Sequence, residues 1–437
     1  MVLERDLIPH EGWGRTGVPQ ARHAHGLLAA GSASLERLFP GLRAELIDGG
    51  APTSDFGEQM IIFIPSGRIP SSPAGLTIQT FSRDLLESRL RQRVNAIPNV
   101  HLHAGIAATA LITGPSAGIV SGVTAVRRSA ENGPGQPLQY QASLVVDCSG
   151  RFSKFPRWLN ELGYPCPAET VVDCGIVYAS RVFQGPPLEW QGLYQPLAAC
   201  THPRGVTILR IEGGRWLITL FGVTGYHPPA DESGFLAFAA ALDNPELTRV
   251  LDASRPASPI HQFTRTENRR RDLRRRDPWP DGFIVVGDAQ CAFNPVYAQG
   301  MTVAADSALR LHNHLLRVGS DLTGFARAFQ RSLRHTYFNP WLISTSEDRI
   351  WAAQQDRRAN RLFRTMHWYK KRLLAAVIND AVVRQAFFLA FHAVRLPSSL
   401  ANPRILVRVM LKNNGSIEPR RGAAPATTVS RIQRRSS

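Results

Sequence analysis

The segment from Gly282 to Asp306, GFIVVGDAQCAFNPVYAQGMTVAAD, carries the residues whose types and spacing best suit chemistry. A hydrophobic strand leads into Gly287-Asp288, and a loop with Pro295 then feeds a small-residue helix at Gly300-Met301. A glycine lets the backbone approach a bulky ligand. An aspartate accepts hydrogen bonds from sugar-type hydroxyls. A helix start presents free N–H groups and a positive dipole end, which suits an electron-rich partner. The bland reading is an ordinary strand–turn–helix with a surface aspartate; Gly-Asp alone does not exclude it, but the whole spacing speaks against it.

This segment strongly resembles the GD motif of FAD-dependent group A monooxygenases, the family of aromatic hydroxylases and squalene and polyether epoxidases. The resemblance implies that Asp288, presented by Gly287, binds the ribityl chain, and that the helix after Pro295, at Gly300-Met301, faces the flavin pyrimidine. The family usually has Gly-Gln-Gly where this chain has Ala298-Gln299-Gly300. LVVDCSGRFSKFPRW, from Leu144 to Trp158, is similar to the second signature of the family, with Ser149 at its usual aspartate position. Arg83 stands where a family arginine reaches the FAD phosphates, a charge-assisted contact. Glu4, at the end of VLE, takes the position of the acid that binds the adenosine ribose. In epoxidase relatives a segment similar to GVPQARHAHGLL, Gly17 to Leu28, approaches the flavin. By that likeness Gln20, His23 and His25 are catalytic candidates and Arg22 a cofactor contact. Without it, packing or solvent exposure explains the histidines equally well.

The elements that must position these residues follow from pattern. Val2 to Glu4 reads as a strand end, His25 to Leu38 as helical and Met60 to Pro65 as a buried strand. Ser82 to Val94 predicts a helix with Leu86, Leu90 and Val94 on one face and Ser82 as its cap. Strand-type runs span Ala107 to Ile112, Ile119 to Arg127 and Leu144 to Asp147, with the turn-rich ENGPGQP between the last two. Val171 to Phe183, Val206 to Ile211 and Arg215 to Gly222 read as a second sheet, with Gly213-Gly214 as a hairpin turn. Phe235 to Leu242 and Pro245 to Leu251 read as helical. From Tyr297 helices continue to about Lys412, broken near Pro340, Pro397 and Pro403. Leu373 to Leu396 reads as one amphipathic helix.

Together these predict an α/β (α+β) protein. A FAD-binding Rossmann-like domain would span 1–170 and 266–335, with a β-sheet substrate domain at 171–265. A helical region at 336–412 and a disordered basic tail at 413–437 would follow. GWGRTG, Gly12 to Gly17, has GxGxxG spacing, but no strand runs directly into it and no helix opens on it in the pattern, so the chain shows no strand–GxGxxG–helix unit. In the resembled family that loop belongs to a first βα unit roughly thirty residues ahead of Glu4, the size of such a unit. The expectation is an N-terminally truncated chain that, by itself, binds FAD poorly or is unstable.

The 51 Lys+Arg against 34 Asp+Glu leave a formal net charge of +17. Its densest run is RTENRRRDLRRR, Arg265 to Arg276, and a second lies in the tail from Arg420 to Arg435. No zinc-finger spacing or RNP-type motif accompanies them, so nucleic acid is not an expected partner. Five cysteines without CxxC pairs, and no secretory signal, point to a reducing, cytoplasmic setting. The basic tail and the amphipathic helix permit peripheral membrane contact. The resemblance implies FAD and NAD(P)H as cofactors and a small hydrophobic substrate that is hydroxylated or epoxidised. A flavin reductase or dehydrogenase of a lipid-like substrate is a second reading. A halogenase is disfavoured, because the Trp-x-Trp-x-x-Pro motif is absent. A non-catalytic remnant or basic binding protein is the reading from another class.

Overall fold

Short apolar runs separated by turn residues become strands, and the 3.6-period runs become helices, in a computed structural model that describes residues 1–8, 17–114, 118–127, 135, 137–199, 201–273, 278–355 and 361–411. The first third comprises β1 (Val2–Glu4), α1 (Ala29–Leu38), α2 (Leu42–Asp48), β2 (Thr53–Asp55), α3 (Phe56–Gln59), β3 (Met60–Ile64), β4 (Gly67–Arg68), β5 (Thr77–Gln79), α4 (Arg83–Asn95), β6 (Leu102–Ala104), β7 (Ile106–Thr113), β8 (Val120–Arg127), β9 (Pro137–Gln141) and β10 (Val145–Asp147). The middle holds α5 (Phe155–Glu161), β11 (Ala168–Val172), β12 (Val177–Gln184), β13 (Gly192–Gln195), β14 (Arg204–Ile211), β15 (Arg215–Gly222), α6 (Glu232–Ala240), α7 (Pro245–Asp252), β16 (Arg255–Pro256), β17 (His261–Phe263), β18 (Asn268–Asp272), β19 (Phe283–Val285) and β20 (Cys291–Ala292). Helices α8 (Gly300–Val318), α9 (Phe325–Gln355), α10 (Arg361–Asn379), α11 (Ala381–Phe391) and α12 (Pro403–Leu411) complete it.

Two parallel strand pairs form the nucleotide-fold part: β1 with β6, and β10 with β19. Leu3 of β1 packs in the same cluster as Val145 of β10 and Phe283 and Val285 of β19, so one core joins the pairs. A large sheet runs β16-β12-β15-β14-β13-β3-β4, with β17 also on β12. Side chains alternate between its faces. Ala179, Phe183, Val206, Ile208, Trp216, Ile218 and Leu220 meet α6 and α7 on one side. The intervening residues Tyr178, Thr207, Leu209, Thr219 and Phe221 line a pocket on the other. With both faces covered, β15 is buried along nearly its whole length.

Several expectations need correction. Val171 to Phe183 is not one strand. Asp173 Oδ1 accepts the Gly175 N–H at 2.8 Å, and Gly175 has φ +65°, so a turn separates β11 from β12 and moves the chain between sheets. Pro340 does not break a helix; it lies inside α9, where buried Tyr337 and Trp341 on either side hold the turn. Leu373 to Leu396 is two helices rather than one, α10 and α11, bent by 119° in the portion Thr365–Asn379 and Ala381–Phe391. Asp380 makes the break by accepting the Val382 and Val383 N–H groups as N-cap of α11. Among the described residues no single helix is long and apolar enough to cross a membrane. The basic run is partly internal: Arg269 pairs with Glu169, Arg270 with Asp272 at 2.7 Å, and buried Arg271 donates to the Ala289 carbonyl. Its residues 274–277, the tail and most of ENGPGQP lie outside the described residues.

Candidate active site

The GD strand β19 ends at Val285, and Gly287 follows with φ +60°, a conformation glycine adopts without strain. A Cβ added there would meet nothing within 4 Å among the described residues, so the turn opens onto space that they do not fill. The Gly287 N–H donates to the Tyr337 hydroxyl at 3.2 Å, fixing the turn to α9. Asp288 follows, half-buried. Burial raises its carboxyl above the ordinary range, while the charges of Arg151 and Arg83 act the other way. Its Oδ1 lies 3.8 Å from where a Cβ on Gly300 would sit, so the carboxylate stands beside the first residue of α8.

α8 begins without a side-chain cap, and its first-turn N–H groups open this region. The turn before it, Pro295–Tyr297, is held by a knot the sequence reading missed. Asp348, fully buried on α9, accepts from Asn268 Nδ2 at 2.6 Å, Asn294 Nδ2 at 2.9 Å and the Tyr297 hydroxyl at 2.6 Å. Asn294 also accepts the Val296 N–H, and its own N–H donates to Asn268 Oδ1 at 2.9 Å. From the large sheet, the Tyr178 hydroxyl donates to Asn294 Oδ1 and that of Tyr194 to the Val296 carbonyl. Ala298, at the family's first glycine position, sits in the left-handed region with φ +54°. A Cβ on Gly26 would come within 3.1 Å of the Ala298 methyl, so these two positions share one space.

In front of this turn lies a pocket of about 840 Å³, its mouth included. Its walls come from residues 24–28, the sheet face, Pro295, Val296 and Ala298, Phe56, and Phe391 and His392. The 24–28 segment is sutured to the sheet. His23 Nδ1 bonds Ser180 Oγ at 2.7 Å, Ser180 bonds Thr219 at 2.6 Å, and Thr219 Oγ1 accepts the Ala24 N–H at 2.9 Å. Ser180, Thr219 and Thr207 are direct cross-strand neighbours, a polar row across apolar strands. Each looks like an isolated hydroxyl in its own strand; only the register joins them, although the alternation of Thr with aliphatics in β14 and β15 was visible.

The predicted site residues divide. His25 lines the pocket. Its Nδ1–H donates to the His23 carbonyl at 2.8 Å, which leaves Nε2 as an acceptor. Burial and the charge of Arg83 push its pKa down to about 4. His23 does not line the pocket; it is buried against the same sheet face, between Tyr178 and Phe263, and burial pushes its pKa down to about 3. Arg22 is exposed and donates to His261 Nδ1 at 3.1 Å on β17, away from the pocket lining. Gln20 uses its carbonyl to accept the His23 N–H and is not among the lining residues. Arg83 begins α4 behind the Ser82 cap, and its Nε pairs with Glu87 at 3.0 Å. Its charge acts on both His25 and Asp288, which brings the three together electrostatically. Pro295 lines the pocket and Gly300 opens α8. The half-buried Met301 side chain packs among α1, α2 and α4 beside Leu27 and Leu86. Glu4 ends β1, where its carboxylate accepts the Asp6 N–H at 2.9 Å. In the second signature, Asp147 is consumed locally by Ser149 and Ser153.

No protein-family model matches the chain. Protein Rv3254 of Mycobacterium tuberculosis is 32% identical over 363 residues, 79% of this chain and 74% of that protein. The chain belongs to the family of Protein Rv3254, and its fold is that of FAD-dependent monooxygenases and halogenases. Squalene epoxidase 5 of Arabidopsis thaliana is 28% identical over 162 residues, 37% of this chain and 28% of that protein. Among solved structures, the flavin-dependent brominase Bmp2 superposes with a TM-score of 0.60 at 15% identity, covering 89% of this chain and 87% of its own. The probable FAD-dependent monooxygenase PqsL from Pseudomonas aeruginosa gives 0.58 at 16%, covering 82% and 90%. The fold class expected from the GD segment is thus borne out.

Proposed function

We propose that this protein holds FAD and uses NAD(P)H and oxygen to hydroxylate or epoxidise a hydrophobic small molecule. The observation that carries the reading is the mostly apolar pocket set against the uncapped start of α8, with Asp288 beside that start. The residues present fit the cofactor: Gly287 leaves room, Asp288 offers a sugar-binding carboxylate, and Arg83 and Arg151 supply positive charge near it. A bound flavin would supply the redox and oxygen-transfer chemistry.

The chain's own part is positioning and exclusion of water. The apolar wall of Leu28, Phe56, Ile78, Leu209, Phe221 and Phe391 would desolvate the substrate. His25 stays uncharged near neutral pH, and its Nε2 can accept a proton-bearing group without adding charge to the pocket. Asp288 would fix the ribityl hydroxyls. Conversion of the substrate RH to ROH consumes one oxygen molecule, one NAD(P)H and one proton, and releases NAD(P)+ and water.

The test is flavin titration of the purified chain by fluorescence, followed by oxygen uptake with NADPH. Asp288→Asn is expected to weaken FAD binding about tenfold, the loss of one charge-assisted hydrogen bond. NADPH oxidation without substrate-dependent oxygen uptake would favour the reductase reading instead. Absence of any flavin binding would favour the non-catalytic one.

A further inference from the structure

The pocket wall opposite the sheet contains a histidine that none of the motifs pointed to. His392 follows α11, is buried, and lines the pocket. Its Nδ1 accepts the Ala29 N–H at 3.2 Å, and its carbonyl accepts the Ala30 N–H at 3.2 Å, so it closes the open end of α1. A nitrogen that accepts from an amide carries no proton. Burial keeps the ring neutral, its pKa pushed down to about 4. The one ring proton is therefore on Nε2. That Nε2–H is buried and finds no hydrogen-bond partner among the described residues. The Phe56 ring stands nearly perpendicular to the imidazole with centroids 4.1 Å apart, and Phe391 packs at 5.5 Å. These rings fix the imidazole plane, and a ring face is at best a weak acceptor. A buried donor left unpaired is costly, and such groups in native proteins have a partner or a function.

We infer that His392 determines substrate specificity: its Nε2–H donates to a carbonyl-type oxygen on an otherwise apolar substrate. The inference deepens the proposed oxygenase reading and rests on this pocket being its substrate site. His25 complements it. There Nδ1 carries the proton and Nε2 is the acceptor, so the two pocket histidines offer opposite polarity.

The experiment compares acetophenone with ethylbenzene, matched in shape but differing in the oxygen, by isothermal titration calorimetry on the full chain with and without added FAD. The wild type is expected to bind acetophenone about tenfold more tightly, the value of one hydrogen bond to a donor otherwise left unpaired. His392→Asn keeps an acceptor at the δ position for Ala29 but cannot reach the ε position. It should retain the melting temperature and the ethylbenzene affinity and lose the preference. His392→Gln, whose amide reaches further, should restore part of it. Equal binding of both probes to the wild type, or an undiminished preference in His392→Asn, overturns the inference while leaving the oxygenase reading intact. Binding of neither probe overturns this inference and the assignment of the pocket together, whereas failure to bind FAD with the preference preserved overturns only the oxygenase reading.

Discussion

At the scale of single residues, the site depends on positions where one methyl group matters. Ala298 adopts a backbone conformation that glycine would adopt without strain, at a cost of roughly 1 kcal/mol for an L-residue. Ala298→Gly should therefore raise the unfolding free energy, read by urea titration, by up to about 1 kcal/mol. Gly26→Ala should lower it by about 1 kcal/mol, because its new methyl would lie 3.1 Å from that of Ala298. The double variant should recover most of that loss, a coupling that two independent positions would not show. Asp288 and Gly287 were legible from the sequence because a strand–Gly-Asp–loop–helix spacing is local. His392 and the Ser180–Thr219–Thr207 row were not. Their partners lie from 12 to 363 positions away, and nothing local marks a hydroxyl or imidazole as pocket-facing.

At the scale of elements, the Pro295 turn owes its position to α9. Asp348→Asn would place an amide against the side-chain amides of Asn268 and Asn294 and leave donors unpaired. A loss of about 3 kcal/mol is expected, read by urea unfolding, with weakened binding of pocket ligands at temperatures where the fold persists. α4 was predicted nearly to the residue, because a serine cap and an apolar face are local signals. The bend at Asp380 carried a local signal too, since aspartate ahead of Ala381 is a good N-cap, but the apolar run through it masked the break. The strands β9 and β13 escaped notice because they are short and are defined by their neighbours rather than by their own composition.

At the scale of the molecule, burial of neutral histidines makes stability depend on acidity. His23 and His392 are pushed down from the ordinary 6.5 to about 3 and about 4, and both are buried. Their depressed values stabilise the fold fully above pH 6.5. The contribution drains away as pH falls towards those values, by about 1.4 kcal/mol per pH unit for each ring. Asp288 and Asp348, raised by burial, act in the opposite sense. The histidine share is therefore isolated by comparison: the urea midpoint of His392→Asn should fall less steeply than the wild type between pH 6.5 and 4.5.

The pocket collects its walls from residue 24 to residue 392. No short stretch of chain contains it, so it cannot exist in a partly folded intermediate that lacks either end. Contacts of such sequence separation form slowly, after loop closure has been met elsewhere. In refolding from denaturant, ligand-binding capacity should thus return after most helical signal, and a pocket ligand should act as a clamp that slows proteolysis of segments hundreds of residues apart.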